Sequence, residues 1–143
     1  MQEETTRLRS LLDRADICEL LAEYARCLDA KDFAGYAALF TEDGALRKPG
    51  GGHRGRAGLA EYVEAELGHY HRTHHLSANH RVEVDGDRAT SHSSMHAVHL
   101  RSADDPTDWW SVGGWYDNTY QRVDTTWLIH TVDITPVWLD EGP

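Results

Sequence analysis

The chain has 143 residues, an apolar fraction of 40% and a formal charge of −10. This length suits one domain with a real hydrophobic core, and the apolar content excludes both a disordered chain and a membrane-like one. So acidic a chain is a poor ligand for phosphate backbones, no apolar run approaches the ~20 residues that span a bilayer, and the mixed polar start Met1–Ser10 is unlike a signal peptide.

In chain order, Thr5 to Leu28 is expected to be helical. Ile17, Leu20, Leu21, Tyr24 and Leu28 recur at three and four and form one apolar stripe. Cys18 and Cys27 lie too far along this helix to bridge, so they are read as reduced core thiols in a cytoplasmic protein. Asp29 to Asp32 breaks the helix, and a second short helix runs from Phe33 to Phe40. Thr41-Glu-Asp-Gly44 reads as a turn, Ala45 to Arg47 as a short strand and Pro49-Gly-Gly-Gly52 as a loop. Arg56 to Leu67 is a third helix, with Leu59, Tyr62, Val63 and Leu67 on its apolar side.

The period then changes to two. Ser77–Val84 and Arg88–Arg101 flank Asp85-Gly86, a hairpin signal; Ser111–Val123 and Thr126–Trp138 flank Asp124-Thr125. Three helices followed by antiparallel strands give an α+β class: one domain, residues 1–143, with helices on one face of a curved, cone-shaped sheet and a ligand cavity at its open end. Ten histidines crowd the chain, above all between His69 and His96. The run His69-Tyr-His71-Arg-Thr-His74-His75 suggests metal by its spacing. It lacks a His-Glu-x-x-His motif and a cysteine pair, however, and straddles a helix–strand junction. A solvated histidine-rich segment is therefore expected, with no metal and no cofactor.

Asp29-Ala-Lys-Asp32-Phe33, Leu39-Phe40-Thr41-Glu42-Asp43-Gly44, His75 with Asn79, Val84-Asp-Gly-Asp-Arg-Ala89, Gly114-Trp-Tyr116 and Trp127-Leu-Ile129 with Trp138 together resemble the SnoaL-like branch of the nuclear-transport-factor-2-like superfamily. This resemblance covers nearly the whole chain and implies the same cone. The fold hosts dehydratases, isomerases, cyclases, epoxide hydrolases and non-catalytic subunits, so it does not fix the activity. Among its enzymes, the polar residues are most similar to those of bile-acid dehydratase and scytalone dehydratase. Tyr24, Asp29 and His75 match the first in order and nearly in spacing; Asp29, His75 and His99 match the second. Scytalone dehydratase's two catalytic tyrosines fall on Leu28 and Lys48, so the likeness is to a His–Asp core. Ketosteroid isomerase shares a tyrosine like Tyr24, but Leu46, Arg47 and Lys48 stand where its base would be.

The resemblance implies a cofactor-independent lyase or isomerase, of dehydratase or cyclase type, acting on a hydrophobic ring compound such as a polyketide or steroid-like molecule. His75 would be the base, Asp29 its orienting partner, Tyr24 a donor to the substrate oxygen, and His99 a second acid or substrate donor. Asn79, Met95, Trp115, Tyr116 and Tyr120 would contact substrate. Alternation puts His99 with Ala97, Met95, Ser93 and Ser91 on one strand face and His92 and His96 on the other. It likewise separates Trp115 from Tyr116 and Tyr120, so one aromatic set faces a pocket and another a partner subunit in a homodimer or higher homo-oligomer. Structural roles compete: Tyr24 in a helical core, Asp29 as a cap, His75 bonded to a backbone carbonyl. Two other functions fit the same cone: a non-catalytic small-molecule-binding protein, or an epoxide hydrolase using Asp117 or Asp133.

Overall fold

The computed structural model describes residues 1–143. Three helices, α1 (Gln2–Asp29), α2 (Phe33–Ala38) and α3 (Leu59–Leu67), pack against a six-stranded sheet. Its strands are β1 (Phe40–Lys48), β2 (Gly51–Arg54), β3 (Arg72–Asp85), β4 (Arg88–Leu100), β5 (Trp109–Val123) and β6 (Thr126–Asp140), in the order β2-β1-β6-β5-β4-β3. The sheet is curved and unclosed, which gives the expected α+β cone. No helix is long and apolar enough to cross a membrane.

The apolar stripe of α1 explains its placement. Ile17, Leu20, Leu21, Tyr24, Cys27 and Leu28 are buried, whereas the first three turns project into solvent. Burial at roughly 1.5–3 kcal/mol per large side chain holds the second half of the helix against the sheet. One polar residue joins them: Asp13 is buried, bonded to Arg122 at 2.5 Å and to the Trp127 indole N–H at 3.1 Å. This contact ties the middle of α1 to the far hairpin.

Among the boundaries that differ from the sequence expectation, four change how the sheet is built. The helix after Asp32 stops at Ala38, because Phe40 already belongs to β1. Thr41–Gly44 is not a turn but part of β1, which runs parallel to β6, so the sheet is mixed rather than wholly antiparallel. The turn-like residues are absorbed by a bulge: Phe40 pairs with Ile129 and Ala45 with Thr131. Gly44 permits this approach, since a Cβ there would lie 2.9 Å from the His130 carbonyl oxygen. The glycine loop after Pro49 folds back as β2, with Lys48 opposite Gly51. Finally, β3 begins at Arg72 rather than Ser77, so His74 and His75 sit within a strand and point to opposite faces.

Candidate active site

Alternation on β4 is clean. Ala89, Ser91, Ser93, Met95, Ala97 and His99 are buried, while His92 and His96 are exposed. The inner face is thus the His99 face. Between it and the helices lies a cavity of about 310 Å³ lined by 21 residues, 15 of them hydrophobic. That is the small end of the ~300–1,000 Å³ usual for ligand sites.

Asp29 is the last residue of α1, and the chain leaves the helix sharply behind it. Lys31 takes a left-handed conformation (φ 58°) and its ammonium donates to the carbonyls of Gly68 and Tyr70. This fixes the helix end against the segment leading into β3. The Asp29 carboxylate then accepts from the His75 ring Nδ1 at 2.8 Å, from the His75 backbone N–H at 3.1 Å and from the Thr73 hydroxyl at 3.0 Å. Burial works against its ionisation, but these bonds from His75 and Thr73 outweigh it and hold the carboxyl below its ordinary value. An ionised carboxylate only accepts, so Nδ1 carries a proton and Nε2 is the nitrogen left for a ligand. The His75 side chain is 8% exposed and lines the cavity. An apolar chamber therefore holds an imidazole whose Nδ1 is engaged by a carboxylate and whose Nε2 has no protein partner.

His99 lies beside it, the two rings at right angles with centroids 5.9 Å apart. Trp110 stacks flat on His99 at 3.9 Å and donates its indole N–H to the Tyr70 hydroxyl at 2.9 Å. Burial, then the proximity of His75, pushes the His99 pKa down to about 4. Its Nδ1 is buried and has no partner. A neutral imidazole in the cavity wall is suited to a hydrogen bond with a ligand, not to delivering a proton from an imidazolium.

Tyr24 also lines the cavity. Tyr36 donates to its hydroxyl at 3.3 Å, and Tyr116 meets its ring edge-on at 5.7 Å. Burial, followed by the neighbouring tyrosines, pushes the Tyr24 and Tyr116 pKa values far up, so both stay neutral donors.

The remaining candidates separate. Met95 and Tyr116 line the cavity. Tyr120 is buried outside it, bonded to Ser91 at 2.7 Å and Asn118 at 3.2 Å. Asn79 occupies a left-handed bulge position (φ 56°) and donates to Ser94 on the exposed face. Trp115 is 40% exposed on the outer face, against His92. Asp117 and Asp133 are both outside the cavity; the first pairs with His92, the second with Arg47. Sequence reasoning did not single out Thr73, Tyr36, Tyr70 or the Lys48–Glu66 pair at the cavity wall. Two clues existed: Thr73 has the same strand parity as His75, and Tyr36 sits one helical turn after Phe33.

Residues 9–133 match the model of the SnoaL-like domain. An uncharacterized protein of Mycobacterium tuberculosis, Rv2910c, is 29% identical over 82% of this chain and 80% of its own length. A proposed scytalone dehydratase from Novosphingobium aromaticivorans superposes with a TM-score of 0.84 at 23% identity, covering 94% of this chain and 90% of that one. A type 2 hexachlorocyclohexane dehydrochlorinase, LinA, superposes with a TM-score of 0.83 at 21% identity, covering 94% and 91%. At these identities the two structural likenesses bear on the fold.

Proposed function

The chain belongs to the SnoaL-like domain family, and from that premise we propose that it is a cofactor-independent lyase or isomerase, of dehydratase or cyclase type, acting on a hydrophobic ring compound. The observation that carries the reading is the 2.8 Å contact between Asp29 and His75 Nδ1, which leaves Nε2 free in an apolar cavity.

Removing a proton beside a carbonyl needs a base, a means of stabilising the developing oxyanion and, for dehydration, a proton for the departing hydroxyl. His75 Nε2 takes the proton, and Asp29 stabilises the imidazolium as it forms. Tyr24 has its oxygen occupied by Tyr36 as an acceptor, so its own proton is available to the substrate oxygen. The protonated His75 returns the proton to the leaving hydroxyl or to carbon, which closes the cycle without a metal or redox step. His99 then acts as the substrate hydrogen-bond partner rather than as a second acid, because its pKa near 4 keeps it neutral at working pH. A 310 Å³ cavity favours one or two fused rings over the four of a steroid. Two structural neighbours carry the names of enzymes that eliminate water or hydrogen chloride, in line with a base-initiated elimination. An epoxide-opening role has less support, because neither Asp117 nor Asp133 reaches the cavity.

The test is turnover of a panel of β-hydroxy ring ketones, followed by the absorbance of the conjugated product. At least one member is expected to lose water with the wild type and none with folded His75→Ala. Near-normal turnover by that variant would remove His75 from the chemistry.

A further inference from the structure

Apart from its tyrosine hydroxyls and the Trp110 indole, the cavity described above has polar side chains at two places. One is the His75–His99 wall on β3 and β4. The other is formed by the last residue of β1 and the last turn of α3, where the Lys48 ammonium bonds the Glu66 carboxylate. Lys48 and Glu66 are the only lysine, arginine, aspartate or glutamate among the 21 lining residues. Lys48 also lies over the Tyr62 ring, 5.6 Å from its centroid. Burial lowers its affinity for a proton, but Glu66 and then Tyr62 more than compensate, so it stays a cation.

The partners are unequal. Lys48 has 29% of its side chain exposed and is fixed at a hairpin end against an aromatic ring, whereas Glu66 has 46% exposed. Glu66 can turn to water at little cost, because a half-exposed ion pair contributes little. Lys48 cannot leave without giving up Tyr62. In a chain of formal charge −10, this is the one lysine or arginine of the cavity wall, and it favours a negative group. Strands β1 and β3 are separated by three others in the sheet, so Lys48 and His75 stand on opposite walls.

We infer that the substrate is a ring compound carrying a carboxylate remote from its reacting carbon, and that Lys48 selects it by binding this carboxylate in place of Glu66. The inference rests on the cavity being a substrate site and names the substrate class. It also gives orientation a cause: with the carboxylate held at Lys48, the opposite edge of the ring is presented to His75.

Binding of 2-naphthoate and its uncharged isostere 2-naphthamide to the full chain tests this through the fluorescence of Trp110 in the cavity wall. The wild type is expected to prefer the acid at least tenfold. Lys48→Met abolishes the preference while leaving the amide's affinity unchanged. Glu66→Gln tightens binding of the acid alone, because its competitor for Lys48 is gone. Equal binding of acid and amide by the wild type, a preference that survives in Lys48→Met, or no binding of either compound would overturn the inference. The catalytic reading fails separately: His75→Ala should keep the acid preference, so a preference with unimpaired turnover in that variant removes the base and leaves the carboxylate site standing.

Discussion

Two histidine–aspartate pairs of nearly equal length lie on opposite faces of one sheet. On the inner face, His75 meets Asp29 at 2.8 Å with side chains 8% and 27% exposed. On the outer face, His92 meets Asp117 at 2.7 Å with side chains 48% and 54% exposed. Their distances do not distinguish them. The inner carboxylate also takes the His75 backbone N–H and the Thr73 hydroxyl, so its position is fixed by three donors from one strand. The outer pair has one bond between two side chains of adjacent strands and open water around it. Preorganisation and desolvation, not the pairing of residue types, distinguish the inner pair from the outer one.

The largest expected effect separates the two faces outright. His75→Ala should lower kcat/KM by roughly 10²–10⁴, the scale of a lost general base, whereas His92→Ala should leave it unchanged. Equal losses would mean that the outer pair, or the sheet as a whole, governs activity. Next, Asp29→Asn should lower kcat by no more than His75→Ala does, with little change in KM, since an amide no longer stabilises the imidazolium and can impose the other tautomer. Asp117→Asn, its outer counterpart, should not.

A third effect lies in stability. His99 is held neutral by the fold to about pH 4, against 6.5 for the free side chain. Between those values the unfolded chain binds the extra proton, so stability falls as pH drops across the window, by on the order of 1–3 kcal/mol. Asp29 acts in a lower range: its depressed folded pKa contributes stability above 3.8 that is lost as pH falls through the folded value. Denaturant titrations at pH 7 and pH 5 should show the His99 slope, and His99→Leu should flatten it. The smallest effect is on the outer pair, where His92→Ala should move stability by less than about 0.5 kcal/mol at either pH.

These contrasts also mark what the sequence could express. The two long hairpins are legible, because Asp85-Gly86 and the period-two pattern are local signals. The segment Thr41–Gly44 is misread as a turn because its residues are turn formers; only the parallel partner β6, more than eighty residues on, turns them into a bulged strand. Alternation separates His99 from His92, and Tyr116 from Trp115. It does not say which set faces inward, since that depends on where the helices pack. Asp29, Tyr24 and His75 emerge from the family resemblance, whereas Thr73 and Tyr36, which hold them, do not. Lys48–Glu66 is invisible for the same reason: hairpin end and helix meet only in three dimensions.

The most direct measurement is exchange of carbon-bound hydrogen for deuterium in bound ring ketones, read by NMR in D₂O, which requires a base but no leaving group. The wild type is expected to exchange the hydrogens beside the carbonyl of at least one ketone that it binds, with His92→Ala equally active and folded His75→Ala inert. Exchange at the wild-type rate in His75→Ala, or none in any ketone shown to bind, would contradict the assignment of His75 as the base.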